Sequence, residues 1–242
     1  VTVCLKGRKA ARHACVMREH ERETVDFEVW PEAIELGEMF AEEGYELALV
    51  GGPVRDLLLH RRSHDLDFCT SARPEQFEPI LRRWGHDGFW DMGRKFGTLG
   101  AMRRRPNGTE VQVEITTYRS DEYDPDSRKP EVSYGDSLEG DLSRRDFTVN
   151  AMALRVPDLE FVDPFGGAND LSKRVLRTPV DPRQSFDDDP LRMMRAVRFV
   201  AQLGFGIEPE TAAGLLTLAP PHRRVGAARG GGARGGRGVG GP

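Results

Sequence analysis

The sequence predicts an α+β fold, with a mixed or antiparallel β-sheet flanked by helices and then a mostly helical region. Helical and strand patterns succeed each other up to about residue 153. Two strand patterns are joined by Pro106-Asn107-Gly108, which is a strong hairpin signal and predicts an antiparallel pair. Beyond residue 153 the pattern is helical apart from one short strand. The first part therefore combines helices and strands, whereas the second part is mostly helical.

The individual elements follow from periodicity and from helix and turn signals. The chain begins with an irregular basic segment, residues 1–30. The predicted helices cover residues 31–43, 74–84 and 191–203. The predicted strands cover residues 45–50, 96–102, 109–118 and 160–163, besides the strand that carries Asp65. Residues 119–140 are polar and contain several acids and prolines, which predicts a mobile loop.

A glycine pair ends the strand predicted over residues 45–50. Gly51 and Gly52 open a helix, and backbone N–H groups at such a start bind phosphate. Pro53 in the first helical turn gives up a donor that no helix bond needs. The turn therefore predicts a phosphate-binding position.

Three acidic side chains downstream are candidates for binding a divalent metal. Asp65 and Asp67 share one face of a strand, about 6.6 Å apart at the usual rise. Residues 110–115 alternate strictly, so Glu114 joins the pair if both strands lie in one sheet. Two magnesium ions about 3.5–4 Å apart relieve the repulsion between such carboxylates and catalyse in-line displacement at phosphorus. Alternatively, the aspartates are ordinary solvent-facing strand residues.

A third candidate site lies at the start of the helix predicted over residues 191–203. A fixed Asp189 carboxylate beside a fixed Arg192 guanidinium offers an acceptor next to a donor. Cytosine and adenine present an amine donor beside a ring-nitrogen acceptor, whereas uracil and guanine present the reverse order. The pair would thus accept cytosine and adenine and refuse uracil and guanine. The alternative is an exposed helix with an ion pair at a spacing of three residues.

Five stretches occur in a fixed order over about residues 32–213. They are Leu49-Val50-Gly51-Gly52-Pro53-Val54-Arg55-Asp56 with Asp65-Leu66-Asp67, Glu114-Ile115-Thr116-Thr117-Tyr118-Arg119, Arg144-Arg145-Asp146-Phe147-Thr148-Val149-Asn150-Ala151, Asp163-Pro164-Phe165-Gly166-Gly167, and residues 188–199. In this order they resemble the bacterial CCA-adding enzymes and poly(A) polymerases. This is the tRNA nucleotidyltransferase family of the polymerase-β-like superfamily.

The resemblance implies template-independent addition of CCA to the 3′ end of tRNA from CTP and ATP, with Mg²⁺ as cofactor and pyrophosphate as product. The catalytic residues that it implies are Asp65, Asp67 and Glu114, the two aspartates holding the metal. The nucleotide-binding residues that it implies are Gly51, Gly52, Arg55, Arg144, Arg145, Asp146, Asn150, Asp189, Arg192, Arg195 and Arg198. Some of the arginines could instead form structural ion pairs, and Asn150 could simply fix the backbone.

The resemblance also implies a domain division. The expected regions are an irregular extension (1–30), a nucleotidyltransferase head (31–153), a mostly helical neck (154–218) and a disordered Gly/Arg-rich tail (219–242). The helix over residues 191–203 is expected to pack on the neck through Leu191, Met194, Val197 and Val200. The loop over residues 119–140, with Arg128 and Lys129, favours full CCA addition over CC addition. The alternatives are a poly(A) polymerase and a nucleotide- or RNA-binding fragment without turnover.

Composition adds further expectations. The net charge is −4, and residues 221–242 contain five arginines and no acid, so the rest of the chain is more acidic. The sequence has no apolar run of membrane-spanning length, and Cys4, Cys15 and Cys69 are unpatterned, which predicts free thiols in the cytoplasm and no zinc site. No protein partner can be inferred. The Gly/Arg-rich end predicts a truncated or frame-shifted body, and Met17 is the expected native start.

Overall fold

A computed structural model describes residues 2–6, 13–18, 21–61, 63, 65–120, 133–135 and 137–218, with side chains for most residues from 29 onwards. The strands are β1 (Thr2–Lys6), β2 (His13–Arg18), β3 (Glu21–Glu28), β4 (Leu47–Val50), β5 (Asp65–Thr70), β6 (Gly88–Trp90), β7 (Thr98–Arg104), β8 (Glu110–Thr117), β9 (Arg119–Ser120), β10 (Ser133–Tyr134), β11 (Ala153–Val156), β12 (Glu160–Val162), β13 (Val175–Leu176) and β14 (Gly206–Ile207). The helices are α1 (Pro31–Glu42), α2 (Gly52–Leu58), α3 (Pro74–Trp84), α4 (Leu138–Ser143), α5 (Gly167–Lys173), α6 (Pro182–Asp188), α7 (Leu191–Leu203) and α8 (Pro209–Leu218).

A seven-stranded sheet forms the centre of the molecule, in the order β12-β11-β4-β5-β8-β7-β6. Every neighbouring pair is antiparallel except β5 and β8, which run parallel. The predicted α+β fold with a mixed sheet is confirmed, and so is the hairpin between β7 and β8. The parallel pair brings the two acidic strands side by side in the middle of the sheet.

The two faces of the sheet are covered differently. On one face, Leu66, Phe68, Val113 and Ile115 are buried in a large apolar core. Helices α1 and α3 complete this core, the second through Phe77, Ile80 and Leu81, which lie on its buried face. On the other face, α4 packs near the end of β5. The acidic side chains of β5 and β8 remain accessible on that face.

The sheet continues past the expected domain boundary at residue 153. Strand β11 pairs with β4, and β12 pairs with β11, so both belong to the central sheet. The buried side chains of Leu154 and Val156 join the same apolar core. A boundary drawn from local pattern misses this because the pairing joins residues about a hundred positions apart.

The irregular structure expected for residues 1–30 is also wrong for the part of that segment that the structure describes. Strands β1, β2 and β3 form an antiparallel three-stranded sheet, and α1 begins at Pro31. The central strand, β2, pairs with a neighbour on both sides, and β1 and β3 each pair with β2 on one side. The basic composition of the segment carries no signal for this pairing.

Helix α7 has the predicted bounds but a different inward face. Leu191 and Met194 are each 69% exposed and Val197 is 62% exposed, so the expected packing through these three residues is wrong. The fourth predicted residue, Val200, is partly buried and packs against the apolar core. The buried positions are Arg192, Ala196 and Phe199. The guanidinium of Arg192 finds its acceptors inside the protein, and this turns the apolar stripe outward.

Two ion pairs fasten α1 to the β7–β8 hairpin. Arg105 donates to both carboxylate oxygens of Glu32 at 2.6 and 2.7 Å, and Glu32 is buried. Arg103 donates to Glu35, with an Nη1–Oε1 distance of 2.8 Å. These pairs fix the hairpin against the helix that covers the sheet.

Several expectations fall outside the described residues: most of the loop with Arg128 and Lys129, the tail at 219–242, and the side chains of Met17, Cys4 and Cys15. Within the predicted loop, β9 pairs with β10 and α4 begins at Leu138. Cys69 is a buried free thiol, as predicted, and burial raises its pKa well above the usual value. In the described part of the chain, no helix has the length and apolar character needed to cross a membrane.

Candidate active site

Two carboxylates face each other across the parallel strands. Asp67 of β5 lies directly opposite Glu114 of β8, and both side chains are exposed on the open face of the sheet. Asp65 is exposed on the same face, two residues earlier. The strand pairing on which the prediction for Glu114 depended is therefore present.

The environment of Asp67 disfavours its charged form. Surrounding protein atoms desolvate the carboxylate, and the charges of Glu114 and Asp65 repel it, so the pKa of Asp67 is raised despite a partial offset by Arg145. A cation placed here would remove this repulsion. The site thus has the electrostatic character of a cation site.

The glycine turn lies beside these carboxylates. Gly51 has φ 69°, a conformation that favours glycine, and α2 begins at Gly52. A Cβ at position 51 would lie only 3.0 Å from Nη1 of Arg145. The turn and the Arg145 guanidinium consequently form one closely packed wall of the site.

A cleft of about 260 Å³ opens between this wall and the acidic strands. Its lining residues are Val50, Asp67, Phe68, Glu114, Thr116, Arg119, Asp141, Arg144 and Arg145. Inside it, Arg145 donates to the buried Asp141 at 2.9 Å. Desolvation would lower the pKa of Arg145, but Asp141 and other anionic neighbours outweigh it, so the pKa is raised and the guanidinium stays charged. Its Nε has no hydrogen-bond partner among the described residues.

A chain of hydrogen bonds connects α2 with α7. Arg55 donates from Nη1 to Oδ1 of Asn150 at 2.8 Å, and Nδ2 of Asn150 donates to Asp146 at 3.0 Å. The other Asp146 oxygen accepts from Nε and Nη2 of Arg195 at 2.8 and 2.7 Å. Asn150 therefore bridges side chains rather than only fixing the backbone. Four of the predicted nucleotide-binding residues belong to this one network.

The ring of Phe199 lies between two of these arginines. The guanidinium carbons of Arg55 and Arg195 are 5.6 and 5.5 Å from its centroid. Phe147 meets the same ring edge-on, with centroids 5.8 Å apart. Phe199 thereby holds both guanidinium groups at the junction of α2 and α7.

Asp189 and Arg192 lie side by side, with Nε of Arg192 3.9 Å from Oδ2 of Asp189. Arg192 is buried, and its N–H groups donate to Ser185 O, Ser185 Oγ and Arg144 O. Asp189 accepts from the backbone N–H of Leu191 at 3.0 Å. Both groups are thus held in place, which is the arrangement that selection by a fixed edge needs.

Not every predicted residue joins these clusters. Arg198 is exposed, and its Nε donates to Gln202 at 3.3 Å. Each step of three residues turns about 60° around a helix, so the series Arg192, Arg195, Arg198 leads from the interior to solvent. At the glycine turn, a Cβ at position 52 would lie 3.8 Å from Nη2 of Arg55, which is an ordinary contact distance.

Asp65, Asp67 and Glu114 form an acidic row on the open face of the sheet. Their oxygens suit an ion such as Mg²⁺ in a partly open site better than a metal enclosed by protein ligands. Among the described residues, no three His, Cys, Asp or Glu side chains are gathered closely enough to hold a metal. Mg²⁺ commonly takes one or two carboxylates and completes its shell with water and substrate phosphates. Asp65 and Asp67, two residues apart on β5, would supply such a pair, and Glu114 lies opposite Asp67.

A comparison with protein families decides the relationship. The family described as the poly A polymerase head domain matches residues 47–177, a segment that contains the acidic strands, the glycine turn and the Arg144–Asp146 stretch. The chain belongs to this family. The resemblance inferred from the five stretches is confirmed, and nucleotidyltransferases of this family generally use a divalent metal.

The poly A polymerase head-domain family includes relatives of named activity. The CCA-adding enzyme of Streptococcus pneumoniae (strain CGSP14) is 43% identical over 194 residues, which is 80% of this chain and 46% of the relative. The crystal structure of the Bacillus stearothermophilus CCA-adding enzyme in complex with CTP is 37% identical with a TM-score of 0.67, and the match covers 79% of this chain and 45% of that one. A tRNA nucleotidyltransferase complexed with a primer tRNA and an incoming ATP analogue is 31% identical with a TM-score of 0.61, over 75% and 49%. The chain spans less than half the length of these relatives.

Several residues of the site were not predicted from the sequence. Asp141, which anchors Arg145, lies just beyond a segment that the polar pattern assigned to a loop. Its spacing of four residues from Arg145 was a usable signal, since such pairs meet on a helix surface. Arg119 donates to Thr98 at 3.0 Å beside the cleft, and Trp90 donates to Glu114 at 3.4 Å. Neither contact has a local sequence signal, because each joins separate strands.

Proposed function

We propose that this chain is the catalytic part of a CCA-adding enzyme, which uses CTP and ATP to extend the 3′ end of tRNA with Mg²⁺ as cofactor. The pairing of Asp67 with Glu114, across the cleft from Gly51 and Arg145, is the observation that carries the proposal. It combines a site for cations with a cationic wall for phosphate. The named activities of the relatives support the same assignment.

The reaction follows from this geometry. Gly51, Gly52, Arg55 and Arg145 seat the triphosphate, with Arg144 and Asp146 towards the sugar, and Arg195 and Arg198 as further cationic groups. The 3′-hydroxyl of tRNA gives its proton to water as its oxygen bonds to the α-phosphorus, the bond from that phosphorus to the bridging oxygen breaks, and pyrophosphate leaves. Mg²⁺ held by Asp65 and Asp67, with Glu114 beside them, would lower the pKa of the attacking hydroxyl and neutralise phosphate charge.

Base selection belongs to Asp189 and Arg192 in this proposal. The carboxylate accepts from the exocyclic amine of cytosine or adenine, and an N–H of Arg192 donates to the adjacent ring nitrogen. The buried anchoring of Arg192 fixes the position of the donor. We place this reaction in the cytoplasm, where the free Cys69 thiol is stable.

The test is incorporation of labelled CTP and ATP, offered separately and together, into tRNA that lacks its CCA end. Asp67→Asn is expected to lower the rate about 10²- to 10⁴-fold, because the metal-binding charge is lost. Glu110→Gln is the matched control, since it lies on the same face of β8 and its carboxylate pairs with Arg104 instead.

Three outcomes decide between the candidates. Incorporation of CTP followed by a single adenosine supports CCA addition. Long adenosine tracts from ATP alone would identify a poly(A) polymerase. Binding of CTP with Mg²⁺ but no extension of tRNA at any enzyme concentration would identify a nucleotide-binding fragment without turnover.

A further inference from the structure

The connection from β6 to β7 carries exposed apolar side chains, and it begins directly after Trp90, whose indole contacts Glu114. Met92 is 85% exposed and Phe96 is 44% exposed, and Trp90 is half-buried at the end of β6. Lys95 holds its Nζ 4.6 Å from the centroid of the Phe96 ring. Aromatic side chains interleaved with cations are typical of surfaces that bind single-stranded nucleic acid.

Trp90 is fixed beside Glu114 by its position in the sheet. It pairs with Gly100, which in turn pairs with Glu114, so the three residues form a row on one face. The indole Nε1 donates to Oε1 of Glu114 at 3.4 Å. A Cβ at position 100 would lie 2.0 Å from Cε2 of Trp90, so the ring lies directly over the glycine. The indole therefore forms the edge of the acidic row.

This edge lies on the opposite side of the carboxylates from the glycine turn. Gly51 follows β4, which borders β5 on one side, whereas β8, β7 and β6 follow in order on the other side. The attacking and leaving oxygens of an in-line displacement take opposite sides of the phosphorus. With pyrophosphate leaving towards Gly51 and Arg145, the attacking 3′-hydroxyl enters from the side of Trp90.

We propose that Trp90 and Phe96 form a stacking surface for the 3′-terminal nucleotides of the acceptor RNA, with Lys95 next to the RNA backbone. The inference deepens the proposed function and rests on it, because it assigns the position of the attacking strand at the same site. Stacking on aromatic rings is tolerant of base identity. That tolerance suits an acceptor whose last nucleotide changes with every addition.

The experiment measures KM separately for CTP and for a tRNA acceptor minihelix lacking CCA. Trp90→Ala and Phe96→Ala are each expected to raise the minihelix KM about 5- to 100-fold, the loss of one stacked base, and to leave the CTP KM within about 2-fold. Trp90→Phe keeps a ring but loses the N–H bond to Glu114, so it should retain most of the minihelix affinity. Leu216→Ala, at an 81% exposed position on α8, is the control.

A parallel readout uses fluorescence anisotropy of the labelled minihelix without nucleotide, so it requires no turnover. The same order of affinities is expected there, with circular dichroism confirming that each variant is folded. The inference is overturned if Trp90→Ala lowers kcat with both KM values unchanged, since the indole would then act only on Glu114. It is equally overturned if the wild-type chain does not bind the minihelix, or binds it no more tightly than Trp90→Ala and Phe96→Ala. Active wild-type enzyme with unaffected variants would reject this surface and leave the proposed function intact.

Discussion

The Asp67 carboxylate combines a functional position with a cost in stability. Desolvation and the charges of Glu114 and Asp65 raise its pKa, so the folded state binds a proton more readily than the unfolded state does. Between the unfolded and the folded pKa values, stability therefore falls as pH rises. Above both values the charged carboxylate destabilises the fold.

Asp67→Asn should accordingly raise the free energy of unfolding at pH 7 while it lowers the rate of nucleotide incorporation. The gain should shrink as pH falls through the raised folded-state pKa and disappear below the unfolded-state value of about 3.9, where the wild-type carboxylate is neutral in both states. Urea denaturation of both proteins between pH 3 and pH 8 measures this difference. A variant that is less stable than wild type at pH 7 would contradict the assignment of Asp67 to a repulsive site.

Magnesium should reverse the same cost. An ion that binds only the folded state raises its stability by mass action, so the Tm of the wild-type chain should rise with the logarithm of the Mg²⁺ concentration once this exceeds the dissociation constant. Asp67→Asn should lose most of this increase, and Glu110→Gln should keep it. The measurement is the Tm of each protein at Mg²⁺ concentrations up to about 20 mM, which reaches the range of weak carboxylate sites. Equal shifts in all three proteins would place the ion elsewhere.

The Asp189–Arg192 edge makes a prediction about base choice. Asp189→Asn introduces an amide N–H that can donate to uracil, while its carbonyl oxygen can still accept from the Leu191 N–H. The preference for CTP over UTP should fall about 5- to 100-fold, measured as the ratio of kcat/KM values. Asp187→Asn, at an exposed position of α6, is the control. An unchanged ratio would show that another group reads the base.

At the scale of elements, α1 depends on its ion pairs with the β7–β8 hairpin. Desolvation alone would raise the pKa of Glu32, but the hydrogen bond from Arg105 and further favourable contacts outweigh it, so the pKa is lowered. A lowered carboxylate pKa gives stability that is present above the unfolded value and lost as pH falls through the folded one. The pair therefore stabilises the molecule at neutral pH.

Glu32→Gln should reduce the free energy of unfolding by roughly 1.5–3 kcal/mol at pH 7, the contribution of a charged hydrogen bond. The deficit should narrow below about pH 4.3, where the unfolded-state glutamate is protonated. Glu42→Gln, at the exposed end of the same helix, should have little effect. A deficit for Glu32→Gln that is independent of pH would mean that packing, not charge, accounts for the loss.

Helix α7 shows that a sequence pattern can predict the bounds of an element without predicting its orientation. Its bounds follow from local signals, and they are correct in the structure. Its orientation depends on acceptors supplied by Ser185 and by the backbone of Arg144, and these lie outside the helix. A buried arginine with such partners overrides an apolar stripe. The stripe through Leu191, Met194 and Val197 predicted the opposite face.

For the whole molecule, the features of fold and site that the sequence predicts are those that depend on the spacing of residues close together in the chain. The glycine turn, the alternating acidic strands and the hairpin set the sheet order β5-β8-β7, and with it the position of Glu114. The pairing of β11 with β4 and the contacts of Trp90 and Asp141 join distant segments or depend on a helix that the polar pattern hides. A single sequence has no periodic signal for the strand pairing or for the Trp90 contact, whereas Asp141 had a signal in its spacing of four residues from Arg145. The resemblance to a family predicts the roles of the site residues, whereas the structure shows which of these residues contact one another.

Those contacts should make the central sheet and the C-terminal helices unfold together. Phe199 of α7 is nearly buried against Phe147 and between Arg55 and Arg195. Phe199→Ala should cost about 3–5 kcal/mol and remove the main apolar contact across this junction. In the wild type, tryptophan fluorescence and far-ultraviolet circular dichroism should report one transition in urea.

The two probes should separate in Phe199→Ala, because Trp30, Trp84 and Trp90 all precede the C-terminal helices in the chain. The helical signal should then fall at lower urea than the fluorescence changes. Phe77→Ala is the matched control, since it removes a buried ring from α3 and leaves the junction intact. Its two transitions should move together to lower urea. If the two transitions of Phe199→Ala coincide, the coupling must come from the hydrogen bonds through Asn150 and Asp146. The double variant Phe199→Ala/Asn150→Ala should then separate the two transitions.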